Sequence, residues 1–502
     1  MHWVRARSAV PGTDPDPTPE GRSPLQRFWV VPGVVASAAF AWFVLWQGTL
    51  AGALFWNDSK SYEAQAGLAL WSVRFWTSPK PPLVPLVWKL TGSGSGFTAF
   101  QSLFAVACWG FLAWTVALFF SHPWWKLTSL LLTLALASST QVILWNRSIL
   151  SDSIAVSEVA LLVAALWWLT RRVTWVRVMS VLLVCALSAG TRYAQSVTVL
   201  GIAAFGAVWA FRERSHRDVF ARLAGLALGL GVLCAGSVYE GAASGLTGTE
   251  MQHVYAVRVF PFPARVAWFA QHGLPGAGAI DRMARTTPSS PHQAKVVGVA
   301  LPSVRRWITR HGASEYALWL LVHPLDVITM PLSRPELAFN FSGGDEEAYA
   351  ALNRSDSPLD VVMWPAWVWL LGVTAIVVYV ASGREDVWGD DTWRFSLWLI
   401  AIGLVQMLVA WHSDGQETTR HTFEGQLEAR VAVLACTLIV LSRHPWRGFS
   451  FRSLPRRLRH RSGPGPDGAV SDSAAGVDSG QHHGIGGAQA VLVGGDDLGA
   501  PE

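Results

Sequence analysis

The stretch FWVVPGVVASAAFAWFVLWQGTLAGALF, residues 28–55, carries no charged side chain. A helix needs about 20 apolar residues to cross the hydrocarbon core of a bilayer, and this run exceeds that. It is longer than the apolar centre of a signal peptide and lacks a convincing small-residue cleavage site, so it reads as a retained first span. The same character pervades the chain. Hydrophobic residues make up 51% of its 502 positions and charged residues 15%, a content that would demand a larger core than a soluble fold of this length can wrap. The 28 tryptophans point the same way, because indole rings gather where an apolar body meets a wet edge.

Working outward, further apolar runs lie near 97–120, 127–144, 153–170, 178–193, 195–211, 219–240, 363–381, 395–411 and 428–442. The expected fold is all-α: a polytopic membrane protein of about ten spans. Residues 1–27 read as a disordered, cytoplasmic N-terminus. Residues 28–240 read as a transmembrane module whose first outer loop is 51–96. The long segment 241–361 mixes charged and apolar residues as a folded extracytoplasmic domain does, and 362–442 holds the last spans. Within 241–361, YALWLLVHPLDVITMPL (316–332) is apolar but interrupted by Pro324 and Asp326, which suits a helix on or dipping into the outer leaflet; a hairpin is the alternative. The end, 443–502, is basic and then rich in Gly, Ser, Asp and His, without the means to build a core. Its His482 and His483 read as solvated tail.

Positive charge near helix ends sets orientation. Arg22 and Arg27, Lys126, the Arg171–Arg177 group, the Arg212–Arg222 group, Arg384 with Arg394, and the dense run from Arg443 to Arg461 all fall on one side of a ten-span chain. That side is the cytoplasm, so the reading is a multi-pass protein of the cell membrane with both termini inside. A formal charge of +5 does not argue for nucleic acid, because the basic residues sit between apolar runs and not on one soluble face. Cys108, Cys185, Cys234 and Cys436 lie in apolar runs and read as small hydrophobes. No phosphate-binding glycine loop, zinc-protease motif or CxxC is present, so neither a metal nor a cofactor is expected.

Polar groups at membrane depth or in tight outer loops are costly and mark candidate sites. WNDSKSYEAQAG (56–67) sets Asp58, Tyr62 and Glu63 just past the first span. A partly desolvated carboxylate there suits a general base; the plain alternative is a helix cap by Asp58 or Ser59. SPKPPLVPLVWKL (78–90) holds Lys80 in a proline-stiffened segment, where its ammonium suits a phosphate oxygen or simply snorkels to headgroups. NRSILSDS (146–153) carries Arg147 and Asp152, and SAGTRYAQ (188–195) carries Arg192 and Tyr193. HSDGQETTRHTFEGQLEARV (412–431) contains Glu417, Arg420, His421 and Glu424, which share one face if the segment is helical. Arg192, Arg420 and His421 suit a phosphate, while an internal ion pair is the competing role for Arg147 with Asp152.

An acid just after span one, an aromatic and an acid four to five residues on, and KPPL before span two together resemble the GT-C superfamily of membrane glycosyltransferases. The nearest patterns are the protein O-mannosyltransferases and the aminoarabinose transferases of lipid A. The resemblance covers residues 56–90 and implies that Asp58 is the catalytic base and Lys80 the contact to the donor phosphate. Such enzymes often show two adjacent acids, whereas Asp58 stands between Asn57 and Ser59. The implied reaction moves a sugar from a polyprenyl-phosphate-linked donor to an envelope glycan, lipid or protein acceptor, with membrane lipids as surroundings. Competing readings are a transporter or flippase of lipid-linked sugars and a non-catalytic envelope scaffold.

 The donor in that reaction is a polyprenyl-phosphate-linked sugar, the acceptor is an envelope glycan, lipid or protein, and one displacement inverts the sugar's configuration.

Overall fold

The computed structural model describes residues 28–50, 52–78, 80–243, 246–286, 300–334, 372–374, 376, 391–413 and 418–443. All lie in the first of two compact units, Met1–Pro445. Among the described residues every regular element is a helix, and the one extended pairing is an isolated parallel bridge between Leu54 and Ser148. In chain order the helices are α1 (Val30–Leu50), α2 (Asn57–Ala66), α3 (Leu83–Thr91), α4 (Gly94–Ala117), α5 (Pro123–Ala137), α6 (Thr140–Arg147), α7 (Ser151–Arg171), α8 (Trp175–Thr191), α9 (Ser196–Arg212) and α10 (Arg217–Ala243). They continue with α11 (Leu246–Val254), α12 (Pro263–Gln271), α13 (Ala277–Thr286), α14 (Pro302–Val322), α15 (Pro324–Ser333), α16 (Asp391–Ser413) and α17 (Thr418–Arg443).

Seven of these helices are long and apolar enough to cross a membrane, and two bent pairs raise the number to nine among the described residues. The expected run 363–381 lies mostly outside the described residues, as do 1–27 and the tail beyond Arg443. The run 127–144 is broken into α5 and α6, bent by 52°. Serine causes the break: the Ser138 and Ser139 hydroxyls donate to Leu134 O at 2.8 Å and Leu136 O at 2.7 Å, turning the chain out of the helix ladder. The outward positions of the spans are apolar, with Trp42 74% exposed on α1 and Leu228 72% exposed on α10. Water would penalise that surface, whereas acyl chains match it.

α7 sits at the centre, packed by α4, α8, α16 and α17. Its buried face, which includes Trp167, joins Trp109, Trp145 and Phe395 in one large core. Hydrogen bonds gather one set of helix ends: Leu54 to Arg147 and Ile149, Arg192 to Asp152 and Glu424, and Arg258 to Thr418. This site end also carries α11–α15, which build a second core from Tyr255, Phe269, Ile308, Tyr316 and Trp319. The helix that holds the apolar run 428–442 begins earlier, with α17 starting at Thr418, so Glu424 and Glu428 stand inside the bundle and are fully buried.

Candidate functional site

Asp58 occupies the first turn of α2, directly after the loop that leaves α1. The cap role falls elsewhere. Ser59 Oγ accepts from Trp56 N at 2.8 Å and donates to Ile149 O at 2.8 Å, so one hydroxyl both closes the helix start and pins it to the entrance of α7. Two backbone bonds strengthen the joint, Leu54 N to Arg147 O at 2.8 Å and Ile149 N to Leu54 O at 3.0 Å. Arg147 adds its Nε to Gly52 O at 3.3 Å, so this residue also braces the loop behind α2.

Lys80 reaches the same place from the proline-rich segment. Gln65 on α2 donates to Phe75 O at 2.8 Å and Lys80 O at 3.1 Å, which sets the backbone of Lys80 beside the helix. Lys80 Nζ lies 2.8 Å from Asp58 Oδ1, and both side chains keep about a quarter of their surface open. Beneath them the Tyr62 ring is buried, with Lys80 Nζ 5.7 Å from its centroid. The result is an ion pair on an aromatic floor, half open to the surroundings. Glu63 points away and is exposed.

Asp152 and Arg192 belong to a second cluster, buried deeper. Arg192 follows the C-terminal residue of α8, and its Nη1 donates to Asp152 Oδ1 and, at 2.6 Å, to Glu424 Oε1. Gln195 Nε2 donates to Glu424 Oε2 at 2.6 Å, and Gln406 Nε2 to the same oxygen at 3.3 Å. Farther in, Thr191 Oγ1 donates to Glu158 Oε1 at 2.7 Å, while Thr198 Oγ1 donates to Gln406 Oε1 at 2.8 Å. Glu158 and Glu428 are fully buried, each one about 10 Å along its helix from the residue that begins the apolar span. The sequence reading passed over both. Their signal was available, since a carboxylate in an apolar run is a candidate in its own right.

Tyr193 is half-buried in the short turn after Arg192, and His421 is half-buried in the first turn of α17. Arg420 stands in that same turn, and Glu417 lies outside the described residues. Two of the proposed groups therefore meet in space: Asp58, Tyr62 and Lys80 in one, Asp152 and Arg192 in the other. No group of His, Cys, Asp and Glu suited to a metal ion occurs among the described residues. No protein-family model, curated protein or solved structure matches this chain.

Proposed function

We propose that the chain is a membrane glycosyltransferase that moves a sugar from a polyprenyl-phosphate carrier to an acceptor hydroxyl on the outer face of the cell membrane, with both termini cytoplasmic. The observation that carries this reading is the 2.8 Å contact between Asp58 and Lys80 on the helix that follows the first span. A half-exposed pair of this kind is held weakly, so an arriving phosphate can take the ammonium and release the carboxylate. Asp58 then accepts the acceptor's proton as its oxygen bonds to the anomeric carbon. The bond from that carbon to the phosphate oxygen breaks, and the departing polyprenyl phosphate keeps the electron pair against Lys80. One displacement inverts the configuration.

The test is transfer by the purified protein in nanodiscs, with labelled polyprenyl-phosphate sugars offered alongside envelope extracts. Release of polyprenyl phosphate matched by label in the acceptor supports the proposal; failure with every donor and extract counts against it. A second reading, a transporter of lipid-linked sugars, draws on the buried carboxyls Glu158 and Glu428, because polar groups at that depth also line transport paths. Movement of a labelled lipid-linked sugar between leaflets without any transfer would favour it.

A further inference from the structure

α14 and α15 meet at Pro324, which cannot continue the preceding helix, and their axes bend by 97°. One face of α14 is committed to the second core through Val304, Ile308, Tyr316 and Trp319. The opposite face is exposed at Arg306, Arg310, Ala313, Ala317 and Leu321, at helical spacing. That stripe changes character along its length. Its first half is basic, with Arg305, Arg306, Arg310 and His311 exposed. Its second half is apolar and runs around the corner: Leu321 is 77% exposed, Val322 58%, Leu325 75%, Ile328 53% and Leu332 54%. The acids of the pair, Glu315 and Asp326, are both half-buried.

The height of this corner is fixed by a neighbouring span. His412, near the C-terminal end of α16, donates from Nε2 to Val327 O at 3.1 Å, and Tyr316 donates its hydroxyl to His412 Nδ1 at 3.0 Å. α15 is thereby fastened where an apolar span ends, which is the edge of the hydrocarbon layer. We propose that the α14–α15 elbow is a lipid-binding device: its corner, Leu321–Leu325, sits in the leaflet, and Arg305, Arg306 and Arg310 hold anionic headgroups beside it. Guanidinium forks match phosphate oxygens, and an exposed apolar corner at that height finds acyl chains. This inference stands apart from the glycosyltransferase reading.

The experiment uses the full chain in nanodiscs, with a bimane label on Leu325→Cys or Ser314→Cys and the labelled unsubstituted chain as the blank. The Leu325 label should be quenched several-fold more by nitroxides on the acyl chains than by iodide in water, and the Ser314 label should show the reverse. Adding phosphatidylglycerol should deepen the Leu325 label, and replacing Arg305, Arg306 and Arg310 together by Gln should abolish that response. Quenching of the Leu325 label by iodide alone overturns the proposal. Shielding from both quenchers does so too, because it places a protein partner on the corner; an unchanged lipid response in the triple variant removes the headgroup role.

Discussion

Lys80 and Asp58 neutralise one another at rest, and the pair must part before either acts. An ion pair with about a quarter of each side chain open is worth roughly 0–1 kcal/mol, so a phosphate displaces it at small cost. Lys80→Ala should therefore weaken donor binding by roughly 10-fold or more, since a charge-assisted contact contributes about 1.5–3 kcal/mol. Binding of a labelled polyprenyl-phosphate sugar measures this, and unchanged affinity would make Lys80 a structural partner of Asp58. Arg192 differs in kind. It is buried between Asp152 and Glu424, and Arg192→Ala strands two carboxylates away from water. Breaking such a cluster costs about 3–5 kcal/mol, which should appear as a large fall in the thermal transition of the detergent-solubilised protein. A transition unmoved by the substitution would mean that solvent reaches the cluster.

At the scale of elements, α16 and α17 meet closely at two glycines. A Cβ on Gly403 would stand 2.6 Å from Gly425 O, and one on Gly425 would stand 2.6 Å from Gly403 O. Neither carbonyl can move without its helix. Gly403→Ala or Gly425→Ala should thus destabilise the protein by about 1–3 kcal/mol, and the double variant by less than the sum, because one displacement relieves both clashes. Additive losses in thermal stability would show that the two helices do not share this contact. Hydropathy made the spans legible, and the short distance in sequence from the first span to KPPL made Asp58 and Lys80 legible as neighbours. The Gly403–Gly425 crossing was not, because glycine in an apolar run says nothing about which helix it faces. The start of α17 was misplaced for a related reason. His421, Glu424 and Glu428 interrupt the apolar run, and the partners that Glu424 finds outside α17, namely Arg192, Gln195 and Gln406, let the span begin among them.

For the whole molecule, the orientation of the bundle is the first matter to settle. A single cysteine at Ser290 should react with a membrane-impermeant reagent in intact cells, and one at Ser471 should not; equal labelling would overturn the proposed topology. The central claim is narrower and rests on Asp58. Asp58→Asn keeps the shape of the side chain in the first turn of α2 and leaves the Ser59 cap in place, but removes the proton acceptor. The decisive measurement is the rate of sugar transfer by the purified variant beside that of the unsubstituted protein, at matched amounts of folded material. A general base contributes roughly 10²–10⁴-fold, so the account predicts a fall in rate of that size with the thermal transition nearly unchanged. Transfer at close to the original rate would contradict it.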